Sequence, residues 1–494
     1  MISLNEYHQS ITDIGLADTW DLILNSHFPN EFFTEDKLGG LYEDGLAFAN
    51  KIEKKAMGKY YTPIDVAEVM AKYLLELPGD NICDLCCGTG NLILSVLDVM
   101  GENEAKSALA NGNIYLYDID PTAIKICHAI LKYRYGDSAN NVNIVNEDCL
   151  NSEIHFPDNA KIISNPPYGR QDSLIKRSYS CAKTTKELYV AFMEKMIVEQ
   201  VPGVIITPHS FLGGSTFKVL REELNNCGGS IFAFDNVPAN IFKGKKFGIF
   251  NSNEANSTRA AITIIDPNKK GFRVAPFIRF RSDDRKTVLD NEFLNSLLPN
   301  NFQSNKGEVL YRIEKGTEEI VEKWLSQKKT LNSLLSTSPT EYKMDVPNTC
   351  RYFTTGAKRT LSRTGKLTLY FKDEDSFYLG YAFINSSLCY YWHRMCNGGV
   401  TYPVTLLKAM PIFGEVTDNL KKFCDKMISE EEQFIVLKKN AGAYQENIKF
   451  PMNYHKMLNG LLLHQINLTP GTLLKVHANS CVNPDIIDDE EDDE

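Results

Sequence analysis

No stretch of this 494-residue chain is apolar for long enough to cross a bilayer, which excludes a membrane-spanning α-helix. The opening, MISLNEYHQS, lacks the basic start and apolar run of a secretory signal, so a cytoplasmic protein is expected. In that setting the twelve cysteines are expected to be reduced thiols. Cys83 and Cys86 form a Cys-x-x-Cys, but no second Cys or His pair follows at zinc spacing, so no metal is expected. A G-x-x-x-x-G-K-S/T phosphate loop is missing, and no repeat recurs at a fixed period.

Positive charge is also scarce. The net charge is −10, which weighs against a nucleic-acid partner. The distribution of the charge points the other way. From Pro484 the sequence PDIIDDEEDDE carries eight acidic residues and no basic one, and the rest of the chain is close to neutral. Residues 350–372, CRYFTTGAKRTLSRTGKLTLYFK, carry six basic residues and no acidic one. A nucleic-acid surface needs only such a local patch. Arg351, Lys358, Arg359, Arg363 and Lys366 are candidate contacts on loops whose small and hydroxyl residues let backbone approach phosphates. The rival is a solvated basic loop without a partner.

Residues 1–57 read as a helical segment. Thr62 before Pro63 predicts an N-cap, and the helix that follows puts Val66, Val69, Met70, Tyr73 and Leu74 on one face. Within 58–270, the short apolar runs NICDL, NIYLYDI, VNIVN, AKIISN, GVIITP, IFAFDN and AAITIID alternate with helical stretches. That pattern predicts a doubly wound α/β sheet. Residues 271–481 turn irregular, basic and aromatic, and are expected to form a second, mixed α+β domain. Residues 482–494 are expected to be a disordered acidic tail.

ICDLCCGTGNLILSVL reads as strand, turn and helix. Gly88 and Gly90 let a ligand approach the backbone, and Asp84 ends the strand. Only two of the three dinucleotide glycines are present. A GxG after an acidic residue suits a cofactor with an amine and no phosphate, such as S-adenosylmethionine; an ordinary βα turn is the alternative. Asp118 and Asp120 close the next strand, and either can take a pair of ribose hydroxyls. Asp148, after the third strand, can accept from an adenine amine.

The fourth strand stops at IISNPPYGR. Asn165 and Pro166 each precede a proline and are held out of the α region, so the segment is stiff and extended. The Asn165 amide oxygen and the Pro166 carbonyl are then fixed acceptors for an exocyclic –NH2. Accepting both N–H groups favours a pyramidal nitrogen and frees its lone pair. Tyr168 offers a flat face on which a base can stack.

GKYYTP, DLCCGTGNL, YDIDP, NEDCL and SNPPYG, in this order, resemble the γ-class amino-methyltransferases of DNA. The resemblance covers residues 58–266 well and the rest loosely. It implies a Rossmann-like S-adenosylmethionine-dependent domain followed by a target recognition domain, and methyl transfer to the N6 amine of a flipped-out adenine in double-stranded DNA. It also implies a restriction-modification setting, with a cognate restriction endonuclease encoded elsewhere as partner. Tyr61 and Thr62 would close over the methionine part of the cofactor. Phe242, with Phe247 as competing assignment, would contact the flipped base opposite Tyr168, and Lys243, Lys245 and Lys246 would grip nearby phosphates. No Pro-Cys pair supplies the thiol that attack at cytosine C5 requires. RNA or protein-glutamine methyl transfer, and a catalytically silent DNA-specificity subunit, are the rival readings.

Overall fold

The computed structural model describes residues 62–150, 154–169, 179–243, 258–305, 308–350, 352–440 and 443–484. The segment 1–57, Tyr61, Lys245, Lys246, Phe247, Arg351 and the tail from 485 lie outside the described residues. Two compact units emerge, and the chain passes between them several times rather than once near residue 270. Residues 278–296 and 305–309 belong to the first unit, while 274–277, 297–304 and 310 onward belong to the second.

The first unit is built on strands β1 (Asn81–Asp84), β2 (Ile114–Tyr117), β3 (Asn143–Val145), β4 (Ala160–Ser164), β5 (Gly203–Pro208), β6 (Gly228–Ala233), β7 (Ala260–Asp266) and, as far as Arg273, β8 (Gly271–Val274). They form one sheet in the order β3-β2-β1-β4-β5-β7-β6-β8. Neighbours from β3 to β5 are parallel, and β7 runs antiparallel between β5 and β6. All seven strands read from the apolar runs are present; β8 adds an edge strand to the sheet from residues expected in the second domain. The fold is Rossmann-like α/β.

Strand order reverses between β1 and β4, which pair with Asp84 opposite Ile163. In open α/β sheets the crevice beyond the strand ends at such a reversal is where ligands bind. Asn165 follows β4 there, two residues beyond the partner of Asp84.

Helix α1 (Ile64–Leu75) buries Val66, Val69, Met70, Tyr73 and Leu74, the face expected from periodicity. Each such fully buried side chain contributes about 1.5–3 kcal/mol. The segment 278–296 braces this helix: the Tyr73 hydroxyl donates to the Asn291 carbonyl and to Asn295 Oδ1, and Asn291 Nδ2 donates to the Val69 carbonyl. Helix α2 (Asn91–Met100) follows the glycine turn, α3 (Glu102–Ala110) fills the long gap before β2, and α4 (Pro121–Tyr135) follows β2.

The second unit is mixed α+β. It holds the hairpin-like pairs β9 (Lys343–Pro347) with β10 (Lys366–Tyr370), and β11 (Ile435–Asn440) with β12 (Ala443–Ile448). Its helices include α5 (Glu374–Asn385), α6 (Ser387–Cys396), α7 (Asp418–Glu430) and α8 (Met452–Leu463). Arg394 is buried, its guanidinium 4.4 Å from the centre of the Phe277 ring. Among the described residues no helix is long and apolar enough to cross a membrane.

Candidate active site

Asp84 ends β1 fully buried. The Cys86 N–H donates to its Oδ1 at 3.4 Å, whereas Oδ2 has no hydrogen-bond partner among the described residues. Burial pushes this carboxyl up to about 8, and the negative charge of Asp118 adds to the rise. An orphaned buried oxygen is costly.

The turn after β1 supplies backbone. Gly88 has φ 51° and its N–H donates to Asp118 Oδ2 at 2.7 Å. Gly90 has φ 101°, and a Cβ there would lie 2.6 Å from Cys127 Sγ, so only glycine fits against α4. Asp118 Oδ1 accepts the Asp120 N–H at 2.8 Å. Asp120 instead caps α4, accepting from the N–H groups of Thr122 and Ala123 at 3.0 and 3.2 Å. Asp148 is half-buried and accepts the Leu150 N–H at 3.0 Å. Beside it, Cys149 Sγ donates to the Leu85 carbonyl at 3.3 Å, tying this loop to the residue after Asp84.

Thr62 does not cap α1; Pro63 occupies that position and makes no side-chain cap. The Thr62 hydroxyl accepts from Asn165 Nδ2 at 2.8 Å, and the Thr62 carbonyl accepts from Asn91 Nδ2 at 2.9 Å. Pro166 is buried behind Asn165. Tyr168 donates its hydroxyl to the Ile206 carbonyl at 3.2 Å. Its ring meets Phe242 edge-to-face, centroids 6.3 Å apart and planes at 62°. Phe242 is buried, in a turn Ile241–Lys243 whose Phe242 N–H donates to Asn240 Oδ1 at 2.8 Å.

In the structure, three side chains of the basic run have partners within the second unit. Arg359 pairs with Glu446 at 2.6 Å. Arg363 donates to the Gly365 and Glu446 carbonyls, to Asn447 Oδ1 and to Thr349 Oγ1. Lys366 lies in β10 and donates to Asp345 Oδ2 at 2.8 Å and to the Leu361 carbonyl at 2.7 Å. These three side chains satisfy carboxylates and carbonyls within the second unit. Lys358 is exposed, with its amine 5.6 Å from the Phe377 ring centre.

Sequence reasoning missed Arg285. It donates from Nε to Asp65 Oδ2 at 2.6 Å and from Nη2 to Asp65 Oδ1 at 2.8 Å. The partners lie 220 residues apart, and no local pattern signals the pair. Among the described residues no group of three His, Cys, Asp or Glu side chains is placed to hold a metal.

Several known proteins are similar to parts of this chain. The methylase subunit of the type I restriction enzyme MpnII of Mycoplasma pneumoniae is 29% identical over 144 residues, 27% of this chain and 26% of that protein. The type II methyltransferase M.VspI of a Vibrio species is 31% identical over 156 residues, 31% of this chain and 34% of that protein. The modification methylase CviBIII of Paramecium bursaria Chlorella virus NC1A is 30% identical over 182 residues, 35% of this chain and 43% of that protein. The chain thus spans less than half the length of these relatives. Among solved structures, a DrdV–DNA complex superposes with a TM-score of 0.40 at 19% identity, covering 52% of this chain and 31% of that one. The family described as N-6 DNA methylase matches residues 33–290, and the chain belongs to that family.

Proposed function

We propose that the protein transfers a methyl group from S-adenosylmethionine to the N6 amine of an adenine in double-stranded DNA, at a site of defined sequence. The observation that carries this reading is the 2.8 Å hydrogen bond between Asn165 and Thr62. It sets the stiff Asn-Pro-Pro-Tyr acceptors against the residue that begins the cofactor side of the crevice.

The residues fit the cofactor. Asp84, buried with an orphaned oxygen, suits its ammonium. Asp118 suits the ribose hydroxyls, because Asp120 is used as a helix cap. Asp148 suits the adenine amine, and Gly88 and Gly90 let the methionine part lie against backbone. Bound there, the cofactor supplies an electrophilic sulfonium methyl. With its donor end anchored on Thr62, the Asn165 amide turns its oxygen toward the target amine, beside the Pro166 carbonyl. Together they would hold the two N–H groups while the nitrogen lone pair takes the methyl, whose bond to sulfur breaks with the electron pair left on a neutral thioether, and the surplus proton leaves to water. Tyr168 and Phe242 enclose the base, which must first leave the duplex at a cost of a few kcal/mol.

The second unit is assigned to target recognition. Lys358 is retained as a phosphate contact, while Arg359, Arg363 and Lys366 shape the surface rather than read it. The cellular setting is a cytoplasmic restriction-modification system with a separate cognate endonuclease. Incubation of a random-sequence duplex with the protein and cofactor, followed by sequencing of N6-methyladenine, tests the activity. One recurring modified sequence is expected; unmodified adenine throughout would overturn the proposal.

A further inference from the structure

Arg285 belongs to none of the motifs that mark the crevice, yet its guanidinium joins two of the crevice's sides. One side is Asp65, in the first turn of α1 and three residues after Thr62, bound by two parallel hydrogen bonds of 2.6 and 2.8 Å. The other side is the backbone just before Phe242. Nη1 donates to the Asn240 carbonyl at 3.2 Å and Nη2 to the Ile241 carbonyl at 2.8 Å. The contacts close into a ring around the crevice. It runs from Asn165 to Thr62, along the chain to Asp65, through Arg285 to Asn240 and Ile241, and from Phe242 to Tyr168, three residues after Asn165.

We infer that Arg285 is a positioning residue that couples cofactor binding on the Thr62 side to placement of the target base against Phe242. The inference rests on the function proposed above. A ligand that orders the first turn of α1 orders Asp65 with it, and the planar fork transmits that order to the Asn240–Phe242 turn. Guanidinium suits the task because it serves a carboxylate with two bonds and still has donors for two carbonyls; an ammonium has neither the reach nor the fixed geometry. The Arg285 side chain is 16% exposed and that of Asp65 40%, so the pair is partly screened by solvent. A staple without this role would affect stability and leave the linkage between the two ligands intact.

The test is binding linkage. Affinity for a long unmethylated duplex of random sequence is measured with and without sinefungin, an unreactive analogue of the cofactor, for wild type, Arg285→Ala and Arg285→Lys. Couplings between sites are typically about 5–150-fold, and wild type is expected in that range. Both variants are expected to fall below about twofold while sinefungin affinity alone stays within about threefold, since the two binding steps become independent. Arg285→Lys keeps the charge, so it reports on the fork even where the alanine variant folds poorly. Wild-type coupling in the lysine variant overturns the inference. Wild-type protein that binds both ligands without coupling also overturns it while leaving the function standing. Wild-type protein that does not bind sinefungin overturns the function and the inference together.

Discussion

Asn165 Nδ2 and the Thr62 hydroxyl meet at 2.8 Å although 103 residues separate them in sequence. The contact turns two stiff segments into one surface: Pro63 fixes the chain after Thr62, and Pro166 fixes it after Asn165. Thr62→Val keeps the shape and deletes the acceptor. Losing one hydrogen bond at a buried site costs about 1–3 kcal/mol, so single-turnover methyl transfer is expected to slow by roughly ten- to a hundred-fold. Cofactor affinity by calorimetry should fall less than the rate, because valine keeps the shape that closes over the cofactor. An unchanged rate would show that the bond does not orient Asn165.

The two aspartates after β2 hold different backbone groups: Asp118 accepts from Gly88 and Asp120, and Asp120 caps α4. Asp118→Ala is expected to weaken cofactor binding by roughly ten- to a hundred-fold, the usual cost of a charge-assisted hydrogen bond of ~1.5–3 kcal/mol. Asp120→Ala should cost about 1 kcal/mol of stability through the lost cap of α4, with a smaller effect on affinity. Titration and denaturant unfolding of both variants separate the roles. The reverse ranking in affinity would reassign the ribose to Asp120.

Asp84 carries a pH signature. Its carboxyl is pushed up to about 8, above its value in the unfolded chain. The fold therefore favours the protonated form. That contribution to stability is complete below the unfolded-state value and is lost as pH rises through about 8. A bound ammonium favours the carboxylate instead. Cofactor binding near neutral pH is expected to release close to one proton, and affinity should climb with pH before levelling off above about 8. Calorimetry in buffers of different ionisation enthalpy reads the proton, and Asp84→Asn should abolish its release. Proton uptake by the wild type would contradict the assignment.

The basic run yields a contrast between neighbours. Replacing Arg359, Arg363 and Lys366 together by Ala strips partners from Glu446 and Asp345, both almost fully buried. The second unit is expected to lose about 1–3 kcal/mol or more of stability. Lys358→Ala should leave unfolding unchanged and flatten the salt dependence of DNA binding by about 0.9 for the lost phosphate contact. A triple variant with wild-type unfolding and weakened DNA binding would return these residues to the interface.

These cases show where sequence reading works and where it stops. The strands of the sheet were legible as continuous apolar runs because central strands are buried on both faces, and the buried face of α1 because burial imposes a helical period. The places of Asp84, Asp118, Asp148 and Asn165 at or just beyond strand ends were legible because each stands at the end of an apolar run. Thr62 broke the local rule: a threonine before proline reads as a cap, but tertiary structure takes its hydroxyl for Asn165. The ion pairs of Arg359 and Lys366 were not legible, because a charge run records composition, whereas Glu446 and Asp345, their partners, come from other segments. Arg285 and Asp65 left no trace because a single long-range ion pair has no period and no motif.

The most direct measurement compares wild type with Asn165→Ala on the same unmethylated duplex DNA, using a labelled methyl donor and mapping the modified atom. The proposed mechanism requires label on the N6 of adenine in wild type. In the variant the label should vanish while the cofactor and the DNA still bind, because the side chain acts on the target amine as it becomes the nucleophile. Near-normal methylation by Asn165→Ala, or label on cytosine, RNA or the protein itself, would contradict it.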